Sequence, residues 1–135
     1  MIYLQKATAN TVIFTLTEKT TLSPFDYIVE FINQETEVKS YIVLGTELSS
    51  YTNRFNKFTI TEKTSPNNQN AEVNLTEGVY EYKVYEVSDA SAVSPLSSVT
   101  SVGTVIEYGM CTVYDSPSTD TVYSGATSTN VVYEG

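Results

Sequence analysis

Apolar and polar positions alternate with a period of two along most of the chain, the spacing of a strand with one buried face. Ile2 and Leu4 mark a first short strand. From Asn10 to Thr17, Val12, Phe14 and Leu16 fall on one face and Thr11, Ile13 and Thr15 on the other, which predicts a half-buried strand. The polar run from Glu18 to Pro24 reads as a connection. Asp26 to Asn33 is apolar on both faces except at Glu30, the pattern of a central strand. The polar Gln34-Glu35-Thr36-Glu37 separates it from Val38 to Leu44 and predicts a hairpin. Phe58 and Ile60 mark another strand, Thr64 to Asn70 is the most loop-like stretch, and Ala71 to Leu75 is a short strand. Glu77-Gly78 turns into Val79 to Val87, where Tyr80, Tyr82 and Val84 alternate with Glu81, Lys83 and Tyr85. Ser88 to Ser98 is rich in Ser and Ala, holds Pro95 and lacks helical periodicity, so an exposed connection is expected. Val99 to Tyr114 is the last long apolar stretch, broken by Gly103 and Gly109. Only Thr46 to Thr52 suits a helical turn.

About seven to eight short strands joined by polar turns predict an all-β chain, an immunoglobulin-like β-sandwich. Its core should include Phe14, Val29, Phe31, Ile60, Tyr80 and Tyr82. The sandwich is expected over residues 1–114, with residues 115–135 as a C-terminal β extension. That extension carries a weak repeat. The pairs Val113-Tyr114, Val122-Tyr123 and Val132-Tyr133 lie nine and then ten residues apart, on a background of Ser, Thr, Gly, Pro and Asn. Strands so polar bury little area alone and need an edge to pair with, either their own sheet's or a neighbour's.

Composition narrows the chemistry. The chain of 135 residues suits one domain, and Val, Thr and Tyr favour a pleated, half-buried surface. It has no histidine, which removes the commonest general base and transition-metal ligand and excludes serine–histidine and cysteine–histidine catalysis. Cys111 is the single cysteine, with no internal disulfide partner, and reads as a small apolar strand residue. The net charge of −9 argues against nucleic-acid binding. Lys83 is the last basic residue; Glu86, Asp89, Glu107, Asp115, Asp120 and Glu134 follow it, which suits either solubility or a basic neighbouring surface. No apolar run reaches bilayer length, and the first residues lack the pattern of a signal peptide, so neither a membrane nor secretion by that route is expected.

Candidate sites are few. Glu35 and Glu37 form the nearest carboxylate pair, in a turn, while Glu81 and Glu86 fall on opposite faces of one strand. No calcium loop or phosphate-binding glycine loop is present. The expectation is no enzyme activity, no metal and no cofactor. Thr52 to Phe58 sets Arg54, the only arginine, among Asn and aromatic residues, suited either to holding a partner's carboxylate or to fastening a loop. Tyrosines are enriched at protein interfaces, and Tyr114, Tyr123 and Tyr133 of the repeat join Arg54 as candidate partner-binding residues.

Four segments carry a resemblance. Met1 to Lys6 through Asn10 to Lys19, Asn53 to Glu62, Gly78 to Glu86, and Val105 to Gly109 resemble small proteins of tailed phages infecting Bacteroidetes bacteria, including the crAss-like phages. The resemblance covers residues 1–114 in patches and leaves residues 115–135 outside it. It implies a virion component, assembled in the host cytoplasm and placed on the outer surface of the head. The expected role is an auxiliary or decoration protein, present in many copies, that contacts coat subunits or anchors a fibre. A neck or tail component is the nearest alternative, and a carbohydrate-binding or adhesion module the alternative from another class.

Overall fold

The computed structural model describes residues 2–22, 25–45, 47–51 and 54–115. Among them are eight strands: β1 (Ile2–Gln5), β2 (Ala9–Phe14), β3 (Asp26–Asn33), β4 (Lys39–Val43), β5 (Asn56–Glu62), β6 (Glu72–Val73), β7 (Gly78–Val87) and β8 (Thr104–Tyr114). They form two sheets, ordered β1-β8-β7-β3-β4 and β2-β5-β6. The chain is an all-β sandwich, and its path from β2 across to the β3–β4 hairpin, back to β5, and across again to β7–β8 has the cross-sheet connectivity of immunoglobulin-like sandwiches. β3 and β7 pair antiparallel over eight residue pairs in the middle of the large sheet, and β1 joins β8 in parallel, Ile2 facing Cys111.

The alternation read from the sequence places the core correctly. Phe14, Val29, Phe31, Ile60, Tyr80 and Tyr82 are all buried. The sheets meet through Val12, Phe14, Phe58 and Ile60 on one side and Val29, Phe31, Tyr82 and Val84 on the other. Each such side chain contributes roughly 1.5–3 kcal/mol by leaving water. The Phe14 ring lies 5.7 Å from Tyr82 and 6.2 Å from Phe58, tilted against both. β8 passes close over this layer at Gly109, where an added Cβ would stand 2.9 Å from the Tyr82 ring.

Connections are fastened by buried polar side chains. Asn33 closes the β3–β4 turn, its carbonyl side-chain oxygen accepting from the Glu35 and Thr36 backbone N–H groups. Asn56, buried at the start of β5, accepts from the N–H groups of Leu16 and Thr17. Glu86, buried on β7, accepts from the Thr21 N–H at 2.8 Å and hydroxyl at 2.7 Å, which pins the connection from β2. These bonds satisfy groups that could not otherwise be buried.

One expectation fails and another is refined. The described residues 47–51 form no helical turn, and the one α-helical turn among the described residues is α1 (Val99–Val102). The segment after β7 is a largely exposed connection, as expected, but it is not featureless. It folds as two 3₁₀ turns, at Ala90–Ala92 and Leu96–Ser98, and then α1. Ala90, Val93 and Val99 are buried against Ile28, Tyr85 and Val87, with Leu96 partly buried beside them. Their spacing is every third residue, which matches the three residues per turn of a 3₁₀ helix and not the 3.6 of an α-helix. The segment therefore caps the outer face of the large sheet. Gly103 lets α1 turn tightly into β8: a Cβ there would meet the Val99 side chain at 2.8 Å. The expected C-terminal β extension lies outside the described residues, apart from Asp115.

Candidate functional site

The cap covers only part of the outer face. Along β7 the outward residues are Val79, Glu81, Lys83, Tyr85 and Val87, and only Tyr85 and Val87 lie beneath it. On β8 the outward residues are Val105, Tyr108, Met110, Thr112 and Tyr114. β1 adds Tyr3, which pairs with Thr112. Tyr108 is 72% exposed, Tyr3 61% and Val79 46%, and Val105, Met110 and Tyr114 are also exposed. The result is a strip of aromatic and apolar side chains along β8 and its two neighbours. Three tyrosines and a methionine on a rigid sheet make a surface suited to protein contact.

At the edge of the cap sits a buried acid. Glu30, 1% exposed on β3, accepts hydrogen bonds from the Tyr41 hydroxyl at 2.6 Å and the Tyr85 hydroxyl at 3.1 Å. Burial, and then the Glu30 charge, push the Tyr85 phenol up to about 12; Tyr41 is raised by the same causes. Both hydroxyls stay protonated and remain donors, so the trio is a closed structural network.

Other acids are likewise consumed internally. Glu62 on β5 accepts from the Ala7 and Leu75 N–H groups, at 2.8 and 3.0 Å, and from Lys6 Nζ at 3.0 Å. Burial alone would raise its carboxyl, but these donors outweigh burial and hold it below the usual carboxylate range. Burial opposes ionisation of Glu86 as well, and the Thr21 and Leu22 donors again win and lower it. A cleft of about 300 Å³ opens at one end of the sandwich, between Phe25, Tyr27, Gly45 and Phe58. Its two carboxylates are engaged: Asp26 accepts from the Ala90 N–H at 2.8 Å, and Glu47 from the Ser49 and Lys57 N–H groups at 2.7 Å. Burial pushes the Cys111 thiol up to about 12, so it is a packed side chain and not a nucleophile. Among the described residues, no group of three or more potential ligands is placed to hold a metal ion. None of their helices is long and apolar enough to cross a membrane.

The candidate partner-binding residues are not brought together. Arg54 is exposed in a turn whose N–H reaches back to the Tyr51 carbonyl, just before β5. That end of the sandwich holds the Phe14–Asn56 pair. Tyr114 lies at the opposite end, its carbonyl accepting from the Lys6 N–H. It belongs to the outward strip. Tyr123 and Tyr133 lie outside the described residues. The strip's other members, Tyr3, Val79, Tyr108 and Met110, were not singled out by sequence. The available signal was that β8 is apolar on both faces. Compared with family models, curated proteins and solved structures, the chain matches none.

Proposed function

We propose that this chain is a non-catalytic structural subunit of a tailed-phage particle, an auxiliary or decoration protein of the head. The exposed strip of Tyr3, Tyr108, Met110 and Tyr114 carries this reading, because a rigid aromatic face on a small sandwich serves binding. Further support comes from the acids. Glu30, Glu47, Glu62 and Glu86 each accept hydrogen bonds from the chain itself, which favours scaffolding over chemistry. The resemblance of the segments around β2, β5, β7 and β8 to small phage proteins supplies the particle. Many copies on a shell make weak contacts additive through multivalency.

The test is incorporation. Phage particles are grown with an epitope-tagged chain, banded on a density gradient and imaged with antibody-bound gold. The expected result is tag in the particle band, with gold on the head. Tag that stays at the top of the gradient overturns the reading, and gold confined to neck or tail moves the subunit there.

A further inference from the structure

We propose that the bare strip is a two-fold interface whose occupant is a second copy of this chain. The proposal rests on the reading above that the strip binds protein, and it names the partner.

Charge is the first argument. The chain holds 16 acidic and 7 basic residues, yet the outward surface of β1, β7 and β8 within the strip carries one of each, Glu81 and Lys83. The acid excess is kept off this face. Neither residue makes an ion pair with another described residue, since those pairs join Lys6 to Glu62, Lys19 to Glu107 and Lys63 to Glu72. A basic partner would find little to recognise here. A surface with one charge of each sign is matched by its own copy.

Register is the second argument. Across the β7–β8 ladder Glu81 stands beside Met110, Tyr82 beside Gly109, and Lys83 beside Tyr108. Consider a two-fold axis between two such faces, perpendicular to the strands and at the level of Tyr82 and Gly109. It lays Lys83 over Glu81 of the second copy and Tyr108 over Met110 of the second copy. Each contact is made twice, as an isologous interface requires. The ion pairs and the sulfur–aromatic contacts thus fall into place together under one operation.

Area is the third. β8 has 11 residues. β1 adds 4 residues and β7 adds Gly78 to Val84 outside the cap, so at about 3.3 Å per residue and about 4.8 Å between strands the strip has a plan area of about 350 Å². The relief of protruding tyrosines adds to this and gives a small interface, below the roughly 800 Å² per partner of a standard one and suited to a weak, concentration-dependent dimer. The net charge of −9 repels two copies at a distance, but that repulsion is screened beyond roughly 8 Å at physiological salt.

The experiment is sedimentation velocity on the full chain from low to high micromolar concentration, with circular dichroism to verify folding of each variant. The expected result is a concentration-dependent dimer. Met110→Arg should weaken it by about tenfold or more. Glu81→Lys should weaken it too, because it sets like charges opposite Lys83. Ile13→Arg, on the exposed side of β2, should leave it unchanged. A full chain that stays monomeric throughout overturns the proposal, as does a dimer indifferent to Met110→Arg. A monomer that still enters particles would remove the second copy as occupant and leave the structural role standing.

Discussion

Two halves of one sheet face can be set side by side. Toward the β4 edge, the outer face of the large sheet holds Ile28, Tyr85 and Val87, roofed by Ala90, Val93 and Val99. Toward the β1 edge, the same face holds Tyr3, Val79, Tyr108 and Met110, open to solvent. β7 runs through both, so Val87 is buried and Val79 exposed on one strand and one side. The side chains are similar in kind; the cover differs. In the first half, apolar side chains stabilise the monomer. In the second they contribute little until another surface arrives.

Substitutions should separate the halves. The largest effect is expected for Val99→Asp, which buries a charge with no partner beneath the roof and should cost on the order of 4 kcal/mol in urea unfolding. A loss under about 1 kcal/mol would mean that the roof lifts freely. Ile28→Ala should cost about 3 kcal/mol, the transfer and cavity cost of a fully buried side chain. Gly103→Ala should follow at about 2 kcal/mol, because the new methyl collides with Val99 and Tyr85 and pushes the roof off its strand.

Acid should weaken the sandwich through its clamps. Folded Glu62 and Glu86 take up protons less readily than the unfolded chain does. Their contribution is complete above the ordinary glutamate value of 4.5, and it is lost as the pH falls through their lowered folded values. Unfolding measured against pH should therefore show stability dropping below that range, with a shallower drop in Glu62→Gln. An unchanged profile in that variant would mean that the clamp does not titrate. The smallest effect belongs to the open half: Tyr108→Ser, at concentrations that keep the chain monomeric, should change stability by no more than about 0.5 kcal/mol. A larger loss would show that the strip already has a cover.

The contrast also marks what a sequence can carry. Val12, Phe14 and Leu16 announced an inward face because alternation is a local property of a strand. Asp26 to Asn33, apolar on both sides, announced a strand with neighbours and cover, and it has both. Residues 104–114 look alike in this respect, yet only their inner side is covered. Which surface meets which is a long-range fact, and no local period records it. The roof itself left a trace in Ala90, Val93, Leu96 and Val99, but a three-residue period is missed when 3.6 is the period sought. The clamps left none. Glu62 finds Lys6 and Ala7 across more than fifty residues, and nothing near Glu62 in the chain anticipates them.

The parallel pairing of β1 with β8 has a consequence for synthesis. β1 leaves the ribosome first among the described strands and β8 last. The β3–β4 and β7–β8 hairpins close from neighbours in sequence, whereas Ile2 and Leu4 must wait for Cys111 and Val113. Until then β1 is a ribbon with two buried-type side chains and without its ladder partner. The entropy of closing the loop from β1 to β8 is lost before the β1–β8 contacts reward it, which slows this step of folding. In the interval before closure the nascent β1 is the segment most in need of protection from other chains.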